Sequence, residues 1–575
     1  MSDLLAEATR LLMPHLSVAP VLLPLLTAAV LLLSSDRRHG LKSALSLGAA
    51  LLNLAVAVAL LGWAQGDGST TAASAYGIYL LSNWEAPFGI VLVVDRLSAL
   101  MLAVAAVVSL MALLFALARW HKAGAHFHAL FQMQIMGLNG AFLTGDLFNL
   151  FVFFELMLAA SYGLLLHGSG PARVKAGLHY IAINLVASAL FLVGASMIYG
   201  VTGTLNMADL AARIPQVADA DRPLLHAACA ILAVAFLAKA AMWPLNFWLV
   251  PAYASASAPA AAVFALLTKV GIYVLLRLST LLFSPAAGGS AGFGSSWLLW
   301  GGMATLACGA IGMLATQRPV RLAGCAVIVS SGTLLAMLGL ARPEVTTGAL
   351  YYLPGSTFAV AAFFLLAELM DRARNDPEGR RAPEDEEDHL PFAMAEQELK
   401  PVANNLDDDE QALVGRVIPA STALLGLAFV VCTLLVAGLP PLSGFIGKFV
   451  MLSALLQPPV VAVDWVLLAL VLVSGVFALI ALSRTGIRFF WTPVDRGTPL
   501  LRVAEVLPLV LLVGACVLLT VRAEALMRYA RATAAALHAP QGYIEAVMSA
   551  RPLPTATNAD RLQPNARQEK TEAAR

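Results

Sequence analysis

The amino-acid sequence predicts an all-α polytopic membrane protein with about fourteen transmembrane helices, ten of them in two inverted five-helix repeats. The first observation is composition: 59% of the 575 residues are hydrophobic and only 12% are charged. Soluble proteins carry about 25% charged residues, so this chain has too little charge to cover a water-exposed surface. The composition therefore excludes a soluble enzyme, a fibrous protein and a disordered protein. The apolar runs are long and unbroken, which excludes an outer-membrane barrel.

The second observation is the length of those runs. A transmembrane helix needs about 20 apolar residues to cross the bilayer. Apolar runs bounded by charged, Gly or Pro residues predict spans at 17–35, 41–63, 89–118, 125–144, 146–167, 174–200, 224–250, 259–283, 296–316, 321–341, 345–370, 417–456, 461–483 and 502–521.

Positive charge is distributed unequally between the connections that join these spans. Connections after odd-numbered spans hold nineteen Lys and Arg residues, whereas those after even-numbered spans hold only Arg213, Arg222 and Arg342. Cytoplasmic loops of membrane proteins are enriched in Lys and Arg. The bias predicts that the odd connections face the cytoplasm and that both termini face outward. An acidic insert at 371–411, with 14 acidic and 5 basic residues, then faces the cytoplasm as a solvated loop.

The third observation is that two predicted spans contain helix-breaking residues. The predicted helix breaks are Pro244 in the seventh span, Pro251 directly after it, and Pro440 and Pro441 in the twelfth span. Proline removes a backbone hydrogen bond and frees a carbonyl, which a membrane tolerates only against protein or a water-filled cavity. Interrupted helices at corresponding positions are typical of inverted repeats with an ion path between them.

The spacing of five helices between the breaks divides the chain into four parts. The parts are helices 1–3 at 1–120, a first repeat of helices 4–8 at 121–283, a second repeat of helices 9–13 at 284–483 that contains the acidic insert, and a last helix with a tail at 484–575. The membrane helices of the first repeat carry more proton-handling groups than those of the second, because the helices that correspond to those of Glu155 and Lys269 have no comparable buried charge.

Four ionisable residues lie deep in apolar runs: Glu155, Lys239, Lys269 and Lys448. At 1.5 Å per residue, Glu155 lies about 14 Å along its helix from Asp146, near the bilayer middle. Each such charge costs at least about 2.5–3.5 kcal/mol on insertion scales. A lysine whose protonation depends on a nearby carboxylate can bind and release protons, and Glu155 with Lys239 is the obvious pair. The alternative is an ion pair that only locks two helices together.

Two weaker candidates are polar residues near these charges. His179 and Thr268 are possible auxiliary groups that carry protons or order water, and each is equally well explained as a satisfied packing or interfacial residue. No catalytic, cofactor or metal residue is predicted. The five cysteines lie in apolar stretches without a C-x-x-C spacing, and the chain has neither a dinucleotide-binding glycine motif nor a P-loop,.

The segments around the four buried charges resemble the antiporter-like membrane subunits shared by respiratory complex I, membrane-bound hydrogenases and Mrp-type cation/proton antiporters. The resemblance covers roughly 90–480. It rests on GDLFNLFVFFE, AKAAMWPLNFWLVPAYASASAP, AVFALLTKVGIY and GLPPLSGFIGKF. In that family the matching residues are the proposed proton path, so the resemblance implies this role for Glu155, Lys239, Lys269 and Lys448.

Within the family, NWEAPFGIVLVVDRLSALM at 83–101 looks most like the D subunits of Mrp-type antiporters. The resemblance implies a non-enzymatic transport subunit in a bacterial plasma membrane, without a cofactor. Its implied partners are other membrane subunits, protons, monovalent cations and lipid, and not nucleic acid. A proton-pumping subunit of a quinone oxidoreductase or hydrogenase is the first alternative, and a scaffold that translocates nothing is the second. The acidic insert departs from the minimal family pattern.

Overall fold

A computed structural model describes residues 15–35, 38–65, 76–124, 126–375, 420–491 and 501–552. Within them the chain forms a bundle of nineteen α-helices with one small sheet. The first ten helices are α1 Ala19–Leu33, α2 His39–Gln65, α3 Arg96–Ala118, α4 Phe127–Leu143, α5 Leu147–Leu166, α6 Pro171–Thr202, α7 Met207–Arg213, α8 Arg222–Lys239, α9 Leu249–Ser255 and α10 Ala258–Leu282. The rest are α11 Ser295–Ala315, α12 Pro319–Gly339, α13 Pro343–Asn375, α14 Ala420–Ala437, α15 Ser443–Leu455, α16 Ala462–Gly486, α17 Val503–Val521, α18 Ala523–His538 and α19 Gln541–Met548.

The predicted helical membrane fold is confirmed, and every one of the fourteen predicted spans contains a helix. Among the described residues, 12 helices are long and apolar enough to cross a membrane by length and composition, and α1 and α15 are shorter apolar helices. The count of fourteen spans and the repeat relationship remain predictions. The described residues omit both termini and all but the first five residues of the acidic insert, which form the end of α13.

The third predicted span, 89–118, is wrong in its first residues. Val91–Val94 is a strand, β2, which pairs antiparallel with β1 at Gly77–Leu80, so the fold is not purely helical. Helix α3 begins only after Asp95, whose carboxylate accepts a hydrogen bond from the Ser98 amide at 2.8 Å. The Ser98 hydroxyl in turn accepts from the Asp95 amide at 2.8 Å. This reciprocal cap stops the strand and starts the helix.

The centre of the bundle consists of α10, α12 and α13, and α10 and α12 are buried along the full length of their apolar windows. Glycines allow the closest approach: a methyl group at Gly332 would collide with the backbone of Leu306 on α11, and one at Gly302 would collide with Ala336. Small residues at helix contacts are typical of membrane bundles, because they let backbones pack closely.

A polar seam joins α2 and α4 outside this centre. Gln132 donates to the Ser46 hydroxyl at 3.0 Å, and Asn139 donates to the Asn53 side-chain oxygen at 3.2 Å. Both pairs are separated by 86 residues, and a constant separation means that the two helices run parallel. Such bonds stabilise helix association in lipid.

Candidate functional site

Two helices of the bundle are interrupted in the middle. α8 ends at Lys239 and the chain does not resume a helix until Leu249, whereas α14 ends at Ala437 and α15 begins at Ser443. The residues between these helices expose backbone groups that have no partner within a helix. Each interruption therefore creates polar surface inside an apolar bundle.

The prolines occupy these interruptions with one exception. Pro244 lies in the first break, and Pro440 and Pro441 lie in the second. Pro251 lies instead in the first turn of α9, where the missing backbone N–H removes no helical bond. The prediction that Pro251 is a helix break is therefore wrong, since this proline belongs to the helix that follows the break.

Glu155 lies on α5 and is partly buried. Its carboxylate accepts a hydrogen bond from the Ser188 hydroxyl of α6. A hydroxyl donor stabilises a carboxylate that has left water. The Glu155 side chain is thus directed toward α6.

Lys239 is the last residue of α8 and is 7% exposed. Its ammonium donates to the Asn184 side-chain oxygen of α6 at 2.6 Å. The side chains of Lys239 and Glu155 form no ion pair within 4 Å. The expected direct pair is therefore replaced by two contacts to α6, because that helix lies between α5 and α8.

One face of α6 carries the groups that connect the two charges. Tyr180, Asn184 and Ser188 are spaced four residues apart, which places them on one side of a helix. Asn184 donates to the Tyr180 carbonyl at 2.6 Å, and the Tyr180 hydroxyl shares a hydrogen bond of 2.8 Å with the Ser161 hydroxyl. Sequence reasoning missed Tyr180 and Ser188, although their regular spacing in an apolar helix was a usable signal.

Lys269 lies at the centre of the bundle on α10 and is 2% exposed. Its ammonium donates to the Ser330 hydroxyl of α12 at 2.8 Å, and Ser330 bonds the Ser356 hydroxyl of α13 at 3.1 Å. The ammonium group and the two hydroxyl groups thus form a row across three buried helices. Neither serine stood out in the sequence, because single serines are common in transmembrane helices.

Lys448 lies one turn into α15 and is 6% exposed. Its ammonium donates at 2.9 Å to the carbonyl of Ala437, the last residue of α14. Gly438 has φ +76°, and a methyl group there would lie 2.8 Å from the lysine nitrogen. The lysine thus caps the carboxyl end of the helix on the other side of the break, where positive charge is favoured.

The two auxiliary candidates bond to their own helices in the described part of the chain. His179 is exposed on α6 and contacts the Lys175 carbonyl at 2.9 Å, and Thr268 donates to the Ala265 carbonyl at 3.1 Å. Both contacts satisfy side chains that pack on a helix surface. Neither links the buried charges.

A cavity of about 400 Å³ opens at the end of the bundle that carries the Arg-rich connections. Glu368 of α13 lines it and accepts hydrogen bonds from the Trp120 indole at 2.8 Å and from the Ala258 amide at 3.2 Å. Ala258 is the first residue of α10, where the helix dipole favours negative charge. Glu368 is therefore held at the amino end of the helix that carries Lys269.

Among the described residues, no group of three or more His, Cys, Asp or Glu is placed to hold a metal ion. The ionisable groups of the site lie instead on separate helices, with Glu155 on α5, Lys239 on α8, Lys269 on α10 and Lys448 on α15.

The sequence agrees with a known family model and with two known relatives. A family model described as "NADH:quinone oxidoreductase/Mrp antiporter, TM" matches residues 144–382, a range that contains three of the four buried charges. The D subunit of a probable K(+)/H(+) antiporter from Rhizobium meliloti is 52% identical over 93% of this chain and 98% of its own length. The D subunit of the Na(+)/H(+) antiporter from Alkalihalophilus pseudofirmus is 32% identical over 93% of this chain and 100% of its own.

A solved structure of similar architecture extends this agreement to the fold. A chain in the structure of the Mrp complex from Dietzia sp. superposes with a TM-score of 0.75 at 25% identity, covering 93% of this chain and all of the other. The similarity therefore extends over nearly the whole length of both sequence and fold. This multi-pass membrane protein belongs to the family of Mrp-type cation/proton antiporter D subunits.

Proposed function

We propose that this chain is the proton-translocating subunit of a multisubunit Na⁺ or K⁺/H⁺ antiporter, and that Glu155, Lys239, Lys269 and Lys448 carry the proton. One observation carries the proposal: three buried lysines are each held by a neutral oxygen instead of a carboxylate. Burial penalises an ammonium group, and nearby negative charge favours it. Such a lysine changes its protonation when neighbouring charge changes, which is what a relay requires.

The packing of the helices supports an order for these groups. Glu155 and Lys239 meet the same face of α6. A methyl group at Gly271 of α10 would lie 2.8 Å from the Ala240 amide, so the residue after Lys239 packs two positions from Lys269. The relay therefore runs from Glu155 to Lys239 and then to Lys269.

In the second repeat, the proposed proton relay continues from Lys269 to Lys448. The hydroxyls of Ser330 and Ser356 lead from Lys269 to α13. A methyl group at Gly447 would lie 2.8 Å from the Tyr352 Cβ atom of α13, so α13 also packs against the residue before Lys448. Hydroxyl groups and water between the lysines supply the intervening hydrogen bonds.

Access from one side is supported by the cavity that Glu368 lines. The cavity has room for many water molecules, and it reaches the amino end of α10. Lys269 lies eleven residues further along that helix, about 16 Å at 1.5 Å per residue. We infer that this cavity admits protons from the cytoplasm, the side that the Arg-rich connections predict.

The assignment includes partners and location. The relatives are named as antiporter subunits, and the similar solved structure is of an Mrp complex. We infer that this chain acts with other membrane subunits in a bacterial plasma membrane, with both termini outside. The two repeats at 121–283 and 284–483 form the translocating unit, and the chain is a transporter subunit, not an enzyme.

Cation/proton exchange in inside-out vesicles from cells that express the complete complex tests the relay. Glu155→Gln and Lys239→Ala are expected to abolish exchange with Na⁺, K⁺ and Li⁺ while the complex still assembles. Lys175→Ala, which removes an exposed lysine of α6, is the matched control and should retain exchange. Full exchange in both variants would contradict the relay. If the variants lose exchange because the complex no longer assembles, a scaffold is favoured.

A further inference from the structure

A buried ion pair lies at the end of the bundle opposite the Glu368 cavity. The Arg277 guanidinium of α10 donates to both oxygens of the Asp95 carboxylate, at 2.6 and 2.8 Å. Only 7% of the arginine side chain and 9% of the aspartate side chain are exposed. Bidentate pairs of this kind are geometrically specific. The reciprocal cap of α3 also holds the Asp95 carboxylate in place.

The pair is connected to the central lysine through one face of α10. Lys269, Tyr273 and Arg277 are spaced four residues apart and therefore lie along the same side of the helix. The Tyr273 hydroxyl accepts from Arg277 at 3.3 Å and donates to the Phe142 carbonyl at 2.6 Å. The line of polar groups thus continues from Lys269 toward the end of the bundle, over about 12 Å.

The C-terminal tail, α18 and α19, covers the pair. The Arg277 guanidinium carbon lies 5.2 Å from the ring centre of Tyr543 on α19, a cation–π contact,. The Tyr529 hydroxyl of α18 donates to the Arg96 carbonyl at 2.6 Å, next to Asp95. A protein segment, and not lipid, therefore separates the ion pair from the outside.

A small cavity lies between the pair and the tail. It measures about 20 Å³, and its lining includes Asp95, Arg277, Thr533 of α18 and Tyr543 of α19. That volume holds about one water molecule. The polar line from Lys269 therefore ends at a carboxylate, a water-sized space and a protein cover.

We propose that Asp95 and Arg277 form the outer gate of the proton path and that the C-terminal tail holds this gate shut. The inference rests on the proposed function of Lys269. Arg277 lies on the same helix as Lys269. When Lys269 takes up a proton, its positive charge repels the Arg277 guanidinium and weakens the ion pair with Asp95. The freed Asp95 carboxylate then accepts the proton through water, which leaves Lys269 neutral, and releases it outside as the carboxylate ionises and pairs again.

A purely structural clamp is the competing explanation, and the chain contains a matched pair for comparison. Arg342 and the buried Asp464 form an ion pair of 3.0 Å where α13 and α16 begin. It also joins two helices, through a single hydrogen bond and with an arginine that is 29% exposed, and neither residue lies on the helix of a relay lysine. Its removal reports the cost of losing an ion pair without opening the proposed gate.

Proton leak in the absence of transported cation distinguishes a gate from a clamp. In vesicles that contain the complete complex, Arg277→Gln is expected to raise cation-independent proton leak several-fold. Adding Lys269→Ala should return the leak to background, because the leaking protons pass through that lysine. Asp464→Asn should not leak. Leak caused by damaged packing would instead persist in the double variant.

Two further sets of results decide between the gate, the clamp and the relay. Absence of leak in Arg277→Gln, or leak that survives Lys269→Ala, overturns the gate. If Arg277→Gln does not accumulate in the membrane, Tyr543→Leu, which removes only the covering ring, is measured by the same criteria. Lys269→Ala alone tests the proposed function separately, because full exchange in that variant refutes the relay. If Lys269→Ala loses exchange but Arg277→Gln and Tyr543→Leu do not leak, only the gate is refuted.

Discussion

The two helix breaks place a lysine at corresponding points of the chain but satisfy it differently. At the first break, Lys239 donates to the Asn184 side chain of α6, and the carboxylate of Glu155 accepts from Ser188 one turn further along the same face of that helix. At the second break, Lys448 donates to the backbone carbonyl of Ala437. Among the ion pairs of the described residues, none involves Lys448. The first lysine therefore contacts a helix face that also contacts another ionisable group, whereas the second contacts the end of a helix.

This difference assigns different tasks to the two breaks. A side-chain contact can be exchanged for another when a proton arrives, because both partners rotate. A backbone carbonyl at a helix end keeps its partial negative charge and its place. We therefore expect the first break to control the rate of proton transfer and the second to depend on how well the break holds its shape.

The strongest test of this comparison is Asn184→Leu, which removes the oxygen that holds Lys239. A hydrogen bond to a charged group contributes about 1.5–3 kcal/mol, so the exchange rate is expected to fall about tenfold or more. Asn246→Leu is the control, since Asn246 lies in the same break but contacts the Cys308 sulfur at 3.5 Å. Equal exchange in the two variants, measured in vesicles with equal amounts of complex, would remove α6 from the relay.

At the second break, Gly438→Ala is expected to push Lys448 away from the Ala437 carbonyl. Exchange should fall about fivefold, or roughly 1 kcal/mol. Gly203→Ala is the control, because Gly203 also has a positive φ, +72°, but its nearest neighbour is Arg213 at 3.4 Å. Both substitutions place alanine in the left-handed region at a cost of about 1–2 kcal/mol, so both should lower the melting temperature. A similar loss of exchange in both would attribute the effect to backbone strain alone.

The smallest effect is expected for His179→Ala. The ring is exposed and contacts a carbonyl of its own helix, so its removal should change the exchange rate by less than about twofold, within the usual effect of a surface substitution. The initial rate in vesicles at several pH values is the measurement. A large loss of exchange would show that α6 carries protons on both faces. The difference proposed between the two breaks would then be wrong.

Much of the fold could be predicted because lipid imposes simple rules on composition. Each of the fourteen apolar runs predicted as a span contains a helix, and the prolines near Lys239 and Lys448 predicted the two breaks. The strand before α3 was missed, since Val91–Val94 is as apolar as a transmembrane helix and only the Asp95 cap separates them. The tail could not be assigned a place, because its contacts with Asp95 and Arg277 join residues hundreds of positions apart.

The sequence by itself determined which ionisable residues lie deep in apolar helices, because a charge is conspicuous against an apolar background. Only the tertiary structure decided what each of them touches. Ser188 and Asn184 stand between Glu155 and Lys239, Ser330 holds Lys269, and Asp95 holds Arg277. The physical reason is that insertion into lipid depends on each helix separately, whereas hydrogen bonds between helices depend on which faces meet when they pack.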